Sequence, residues 1–275
     1  MASGSVIVRR WPWAVLAVVV LAGLAAALGF TQDPYAQDIL ARNQGPSATH
    51  WLGTDQFGRD LLARLTTGAG MTLWVAICAT LVALLGGAGV ALLACVAGGW
   101  LRAGVFMVFD LLRTMPSLLV ALALMTAAGA GTTSVVFSIG LTFAPLFAYV
   151  ASAAYDRERV AGYVTAARLL GGSSRWVAWR HVLPNVTGAL ITQVAIVMPR
   201  AITTESVLSF LGMGVAPDTP TWGRIIAAAS AFAEQAPSSL ALPVILLALT
   251  TLSISVIGHS VRDFRRNETP GAVIT

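Results

Sequence analysis

The chain has 275 residues, 57% of them hydrophobic and 11% charged, with 17 basic residues against 12 acidic ones. About a quarter of the residues of a soluble domain are charged, so this composition excludes an ordinary water-soluble globule. Several apolar runs reach the roughly 20 residues that cross a bilayer as a helix, and the chain reads as an all-α polytopic membrane protein. All 17 basic residues are arginines, and all but two of them lie between or beside apolar runs, with no interleaved aromatic groove, which argues against a nucleic-acid partner.

In chain order, six transmembrane helices are predicted, at about 12–30, 70–98, 103–128, 133–153, 186–211 and 240–261. Arg9 and Arg10 precede the first, and Ala25, Ala26 and Ala27 lie towards its end, so it also fits a cleavable signal peptide. Cleavage leaves the orientation of the rest unchanged. With both termini inside, eleven arginines fall on the cytoplasmic side against four outside (Arg42, Arg59, Arg64 and Arg224), while Arg113 and Arg200 lie within spans. The positive-inside rule therefore predicts cytoplasmic termini.

Between the first two spans, Asp55–Arg59 and Asp60–Arg64 have i, i+4 spacing. This predicts an ion-paired helix over 54–65, either a solvated external element or a contact for a partner. Cys78 and Cys95 share the second span; 17 residues of helix separate them by about 25 Å, beyond disulfide reach. In the third span, Asp110 and Arg113 stand one turn apart. A structural ion pair is the expectation and a substrate contact the alternative, with Pro116 able to kink the helix.

The insertion TAARLLGGSSRWVAWRHVLPN, residues 165–185, separates the fourth and fifth spans. Val160, Tyr163, Val164, Ala167 and Leu170 form one helical stripe. Gly171 and Gly172 stop that helix, Ser173 or Ser174 caps the next, and Pro184 is expected to end it. By physics alone the element is either an interfacial helix pair resting on anionic lipid or a docking element for a cytoplasmic partner. In the fifth span, Pro199, Arg200 and Glu205 are candidates for a translocation path or outer gate, with an interhelical structural role as the alternative. His50, His181 and His259 are scattered over three regions, so no metal site is expected. There is no zinc-type HExxH motif and no nucleophile elbow. A P-loop needs a lysine and the chain has none, so any ATP hydrolysis belongs to another chain.

Thr165-Ala166-Ala167, three residues, Gly171, nine residues, then His181-Val182-Leu183-Pro184 resembles the EAA loop of ABC importer permeases. The family pattern is Glu-Ala-Ala, three residues, Gly, nine residues, Ile, one residue, Leu-Pro; Thr165 departs from its glutamate and His181 from its isoleucine. His50-Trp51-Leu52-Gly53-Thr54-Asp55-Gln56-Phe57-Gly58-Arg59-Asp60 resembles the LGTDxxGRD signature of DppC/OppC-type permeases. Glu205 to Gly212, Gly214, and Thr219 to Gly223 are similar to that branch's fifth-helix and outer-loop pattern.

The resemblance implies a MetI-like permease core made by spans two to six, with an added N-terminal helix. It divides the chain into residues 1–69 (N-terminal tail, first helix, external segment), a core over 70–265 and a cytoplasmic tail over 266–275. Thr165, Ala166, Ala167, Gly171, His181, Leu183 and Pro184 would form the ATPase-coupling loop, and Arg200, Glu205 and Trp222 the translocation path or outer gate. The implied partners are a second similar permease, two ATPase subunits or domains that bind ATP and Mg, an external solute-binding protein and membrane lipid. The implied location is the plasma membrane of a prokaryote. Di- or oligopeptides lead as cargo, with nickel chelates, glutathione and haem as alternatives. A reading from another class is an ion-coupled secondary transporter using Asp110 or Glu205.

Overall fold

The computed structural model describes residues 3–216 and 218–267. Of the predicted tail at 266–275, residues 268–275 lie outside the described residues. The eleven helices described here are α1 (Ser3–Ala27), α2 (Leu61–Ala83), α3 (Val90–Ala97), α4 (Gly99–Thr114), α5 (Ser117–Ala128), α6 (Thr132–Glu158), α7 (Gly162–Leu169), α8 (Ser174–Val177), α9 (Leu183–Phe210), α10 (Trp222–Ser230) and α11 (Pro237–Asn267). No β-strand occurs among the described residues, only the isolated antiparallel bridge between Thr54 and Asp60. All-helical architecture is one of the two ways to span lipid, and it pairs each backbone group within its own helix.

Five continuous stretches are long and apolar enough to span a membrane: Arg10–Ala27, Leu61–Ala97, Thr132–Glu158, Arg175–Phe210 and Pro237–Ser260. The second runs from α2 into α3 through a π-turn at Leu84–Gly89. There a Cβ on Gly87 would collide with the Ala144 carbonyl oxygen, so α6 packs directly on the glycine backbone. The helix α6 is the central strut: 67% of its apolar window is buried, against 17–44% for the other four. Its Val135, Ile139 and Phe147 pack with Ala76, Ala79 and Ala83 of α2 and with Val197, Ala201 and Ile202 of α9.

The sixth predicted span, 103–128, is not one straight helix. It breaks into α4 and α5, bent by 101°. Met115 adopts an extended conformation (ψ 147°) and Pro116 follows it. Proline supplies no N–H and pushes its predecessor out of the helical region, so a break rather than a mild kink results.

The segment between α1 and α2 folds into a tight knot at one end of the bundle, the knot end. Its structure corrects the predicted helix over 54–65. Helix begins only at Leu61, where the Asp60 carboxylate caps the first turn by accepting from the Ala63 N–H at 2.7 Å. The other oxygen of Asp60 faces His50 Nδ1 at 2.9 Å. Arg64 therefore does not pair with Asp60; its Nε lies 3.4 Å from Asp55. Asp55 also holds Arg59 Nε at 2.7 Å and accepts from the Phe57 and Arg59 N–H groups. These acids and Arg64 are buried rather than solvated. Gly53 (φ +84°) and Gly58 (φ +72°) turn the chain where side chains would strike the Gln44 and Asp38 carbonyls. The glycine-rich signature is thus a folding device that closes this loop over the head of α2.

Candidate functional site

At the opposite end, the groove end, α6 passes its chain to α7 and α8. Two ties anchor that exit. Arg102, at the start of α4, donates from Nη1 to Asp156 at 3.0 Å and from Nη2 to Ser152 at 2.8 Å. Val164, Val177, Val182 and Val186 are fully buried and pack with Tyr155 and Cys95 in a small core that fastens the α7–α8 element to α3 and α6.

The turn after α7 is a Schellman motif. Gly171 N–H donates to Arg168 O and Gly172 N–H to Ala167 O, both at 3.0 Å. Gly171 holds φ +91°, a conformation that glycine enters without a Cβ penalty. Ser173 then caps the next helix, its hydroxyl accepting from the Trp176 N–H at 3.3 Å.

Pro184 does not end that helix. The chain stays helical from Ser174 to Phe210 through a π-turn at Ala178–Val182, where the Leu183 N–H reaches back five residues to Ala178 O. The wider turn absorbs the missing proline N–H, as π-bulges in helices do. The Asn185 side-chain amide donates to His181 O at 2.7 Å and so covers a carbonyl at the disturbance. The loop and the fifth span are consequently one helical rod of 36 residues from Arg175 to Phe210, about 54 Å long at helical rise.

A groove of about 740 Å³ opens on this face, lined by Tyr163, Ala166, Ala167, Leu170, Gly171, Gly172, Ser173, Trp176 and His181. Four of the seven sequence-predicted loop residues line it: Ala166, Ala167, Gly171 and His181. Thr165 is exposed beside it with its hydroxyl turned to Ala161 O, Leu183 is half-buried against the small valine core, and Pro184 is exposed. His181 sits between two aromatic edges, with ring centroids 5.2 Å from Trp176 and 6.4 Å from Tyr163. The Tyr163 hydroxyl donates to Glu158 at 2.7 Å and accepts from Asn185 at 3.1 Å. Burial, and then the Glu158 carboxylate, push that hydroxyl above its ordinary pKa and keep it a neutral donor. Leu169, Leu170, Trp176 and Trp179 are more than half exposed. A patch of large apolar side chains around a concave, polar-edged groove is the kind of surface that marks interaction sites. Only part of the predicted apolar stripe faces inward: Val164 and Ala167 do, while Val160 and Leu170 stand out.

One groove residue, Trp176, and two partners of the groove's Tyr163, Glu158 and Asn185, were not singled out from sequence. Trp176 lies five residues before His181, a spacing that brings rings together only across a π-turn. Glu158 and Asn185 reach Tyr163 from the ends of two different spans. Asn directly after Pro184 was the available signal.

The candidates for a path or gate separate. Arg200 is exposed and lines a cavity of about 650 Å³ between α9, α5, α6 and α11. Glu205 is fully buried: Ser209 donates to it at 2.7 Å and Ser206 lies at 3.4 Å. Trp222 is fully buried as well, donating from Nε1 to Leu65 O at 3.0 Å, and its own N–H meets Thr72 Oγ1 at 3.3 Å. These two therefore join α9, α10 and α2 under the knot. Asp110 and Arg113 form no direct ion pair among the described residues. They meet through Tyr149, whose hydroxyl donates to Asp110 and whose ring lies 4.4 Å beneath the Arg113 guanidinium. A helical turn of separation leaves room for the ring of α6 to slot between them. Among the described residues no group of histidines, cysteines and acids could hold a metal.

A bundle of apolar spans with a groove at one end, built partly on one of those spans, has the build of a membrane permease. The family model "Binding-protein-dependent transport system inner membrane component" matches residues 83–266, and the chain belongs to that family. It is similar to the dipeptide transport system permease protein DppC of Alkalihalophilus pseudofirmus, 31% identical over 81% of this chain and 73% of the relative. The di/tripeptide transport system permease protein DppC of Pseudomonas aeruginosa is 35% identical over 80% of this chain and 73% of its own. The glutathione transport system permease protein GsiD of Pectobacterium atrosepticum is 30% identical over the same shares. The fold is shared with the MetNI methionine ABC transporter in an inward-facing conformation, with a TM-score of 0.56 at 17% identity over 72% of this chain and 96% of that one. The chain is accordingly a permease subunit of an ABC importer, with a MetI-like core.

Proposed function

We propose that this permease moves di- or oligopeptides inward by alternating access, paired with a second permease of the same kind. Two separate ATPase subunits bind and hydrolyse ATP with Mg, and an external binding protein delivers cargo at the knot end. Both termini and the groove end face the cytoplasm. The observation that carries the coupling role is mechanical. The groove is built on the same uninterrupted rod, Arg175–Phe210, that carries Arg200 on the cavity wall. A displacement imposed on Trp176 and His181 by a docked ATPase passes along α9 without crossing a flexible joint. The nucleotide state of the ATPase then biases which end of the bundle is open, a two-state equilibrium shifted by differential contacts.

Peptides as cargo are supported by the dipeptide and di/tripeptide relatives. Against ion-coupled transport stand the positions of its two candidate acids. Glu205 is sealed among hydroxyls and Asp110 is held by Tyr149, and neither lines the cavity.

The test is reconstitution in liposomes of this chain with its co-purified permease, ATPase and binding-protein partners. Uptake of a labelled dipeptide is expected to require ATP and binding protein, and the isolated chain is expected to hydrolyse no ATP. Uptake driven by an ion gradient without any ATPase would sink the reading.

A further inference from the structure

Arg200 is the unexplained charge of the fold. It lies ten residues before the end of α9, about 15 Å of helix, or half the thickness of the hydrocarbon core. It makes no hydrogen bond or ion pair among the described residues. Beside the main cavity, a second of about 210 Å³ also reaches it, lined in part by Pro199, Ser255, Gly258 and His259. No acidic residue lines either cavity among the described residues. A cation at this depth is tolerated only where it meets water or a counter-charge, and such residues mark transport paths.

The hydroxyls around it divide into two kinds. Thr203 donates to Pro199 O at 3.0 Å, Thr251 to Leu247 O at 2.8 Å and Ser255 to Thr251 O at 2.8 Å. With their protons committed, these oxygens offer the cavity only lone pairs, which accept from N–H groups. Ser117 and Thr204 have no such commitment among the described residues and can donate. The wall therefore presents donors at Arg200, Ser117 and Thr204, and acceptors along α9 and α11. We infer that this cavity is an anion-selecting station on the translocation path, in which Arg200 receives a carboxylate of the cargo while the acceptor oxygens take its amide N–H groups. A volume of about 650 Å³ suits a small organic ligand of that kind. Arg recognises carboxylates through two parallel N–H donors, and hydrogen-bonding sites discriminate strongly against analogues that lack the group. The cargo side of this inference rests on the peptide-transport reading above.

Two measurements test it, arranged so that the cavity and the cargo are judged separately. In the first, Thr203→Cys is placed in a Cys78→Ala, Cys95→Ala background of the assembled complex. It is labelled with an anionic (sulfonatoethyl) or cationic (ammonium-ethyl) methanethiosulfonate, each rate normalised to a free thiol. The anionic reagent is expected to react several-fold faster, because one charge in a low-dielectric cleft concentrates counter-ions. Arg200→Gln should abolish the preference and Arg200→Lys should keep it. A ratio indifferent to residue 200, or no labelling at all, overturns the inference.

In the second, the liposome complex is offered a dipeptide with a free C-terminus and the same dipeptide as its amide. The parent is expected to favour the free acid by about tenfold or more, the effect of one charge-assisted hydrogen bond. Arg200→Gln should lose that preference. Equal uptake of both forms by the parent overturns the carboxylate assignment. If the parent moves neither peptide, the peptide reading fails, and the labelling ratio alone decides the anion site. If Arg200→Gln and Arg200→Lys both separate the two permeases on size exclusion, Arg200 is part of the subunit interface and the inference is wrong.

Discussion

Replacing Gly171 by valine isolates the turn on which the groove depends. The backbone there holds φ +91°, and a Cβ added at that position meets nothing within 4 Å. The expected effect is therefore conformational strain alone, with no steric collision to relieve. Holding an L-residue in the left-handed region costs about 1–2 kcal/mol, and a β-branched side chain lies at the upper end. A difference of that size changes a two-state population by roughly 5- to 30-fold. The competing state is one in which φ turns negative. It breaks the two 3.0 Å Schellman bonds to Arg168 O and Ala167 O and swings Gly172 and Ser173 out of line. Leu170 and Trp176, which both line the groove, are then displaced relative to each other.

The spans should be untouched, because their shared core lies on α2, α6 and α9, away from this turn. In the reconstituted complex, Gly171→Val is expected to lower peptide uptake, by up to about 5- to 30-fold. ATPase stimulation by loaded binding protein should fall with it, while expression and assembly of the membrane subunits remain near the parent. Gly171→Asn is the control, since asparagine enters the left-handed region more readily than valine, and it should retain most of the coupling. If Gly171→Val couples as well as the parent, or if Asn is as damaging as Val, left-handed strain is not what the turn requires.

Gly58→Ala should destabilise the knot by roughly 2–5 kcal/mol, combining left-handed strain with overpacking against the Asp38 carbonyl, and should lower the melting temperature of the purified protein. A melting curve that overlays the parent's would show that the loop yields freely at this point. Thr165→Glu is expected to leave complex formation and uptake within about twofold of the parent, since residue 165 is exposed and a surface change typically shifts stability by under about 0.5 kcal/mol; loss of the ATPase subunits on co-purification contradicts that. Replacing Cys78 and Cys95 together by alanine should leave assembly nearly intact, both being free thiols on one continuous span. A Cys78–Cys95 disulfide found by mass spectrometry would refute that geometry.

The amino-acid sequence by itself determined what depends on neighbours in the chain. Membrane crossing is a local property of length and apolarity, so the spans were legible from hydropathy within a few residues at most boundaries. The stop after α7 was legible too, because Gly171-Gly172 followed by Ser173 meets the demands of one turn. What only tertiary structure decided were partners far apart in sequence. Asp60 and Arg64 have ideal spacing for each other, yet folding hands Asp60 to the helix cap and His50 and hands Arg64 to Asp55. Asp110 and Arg113 lose their direct contact to a tyrosine from α6. Pro116 and Pro184 carry the same local signal, a missing N–H. The first breaks its span by 101°, while the second is passed by a π-turn. The physical reason for the difference lies in packing. Val177, Val182 and Val186 bury the helix on both sides of Pro184 against α3 and α6, whereas both residues at the Pro116 break, Met115 and Pro116, are exposed and no such burial holds the helix straight.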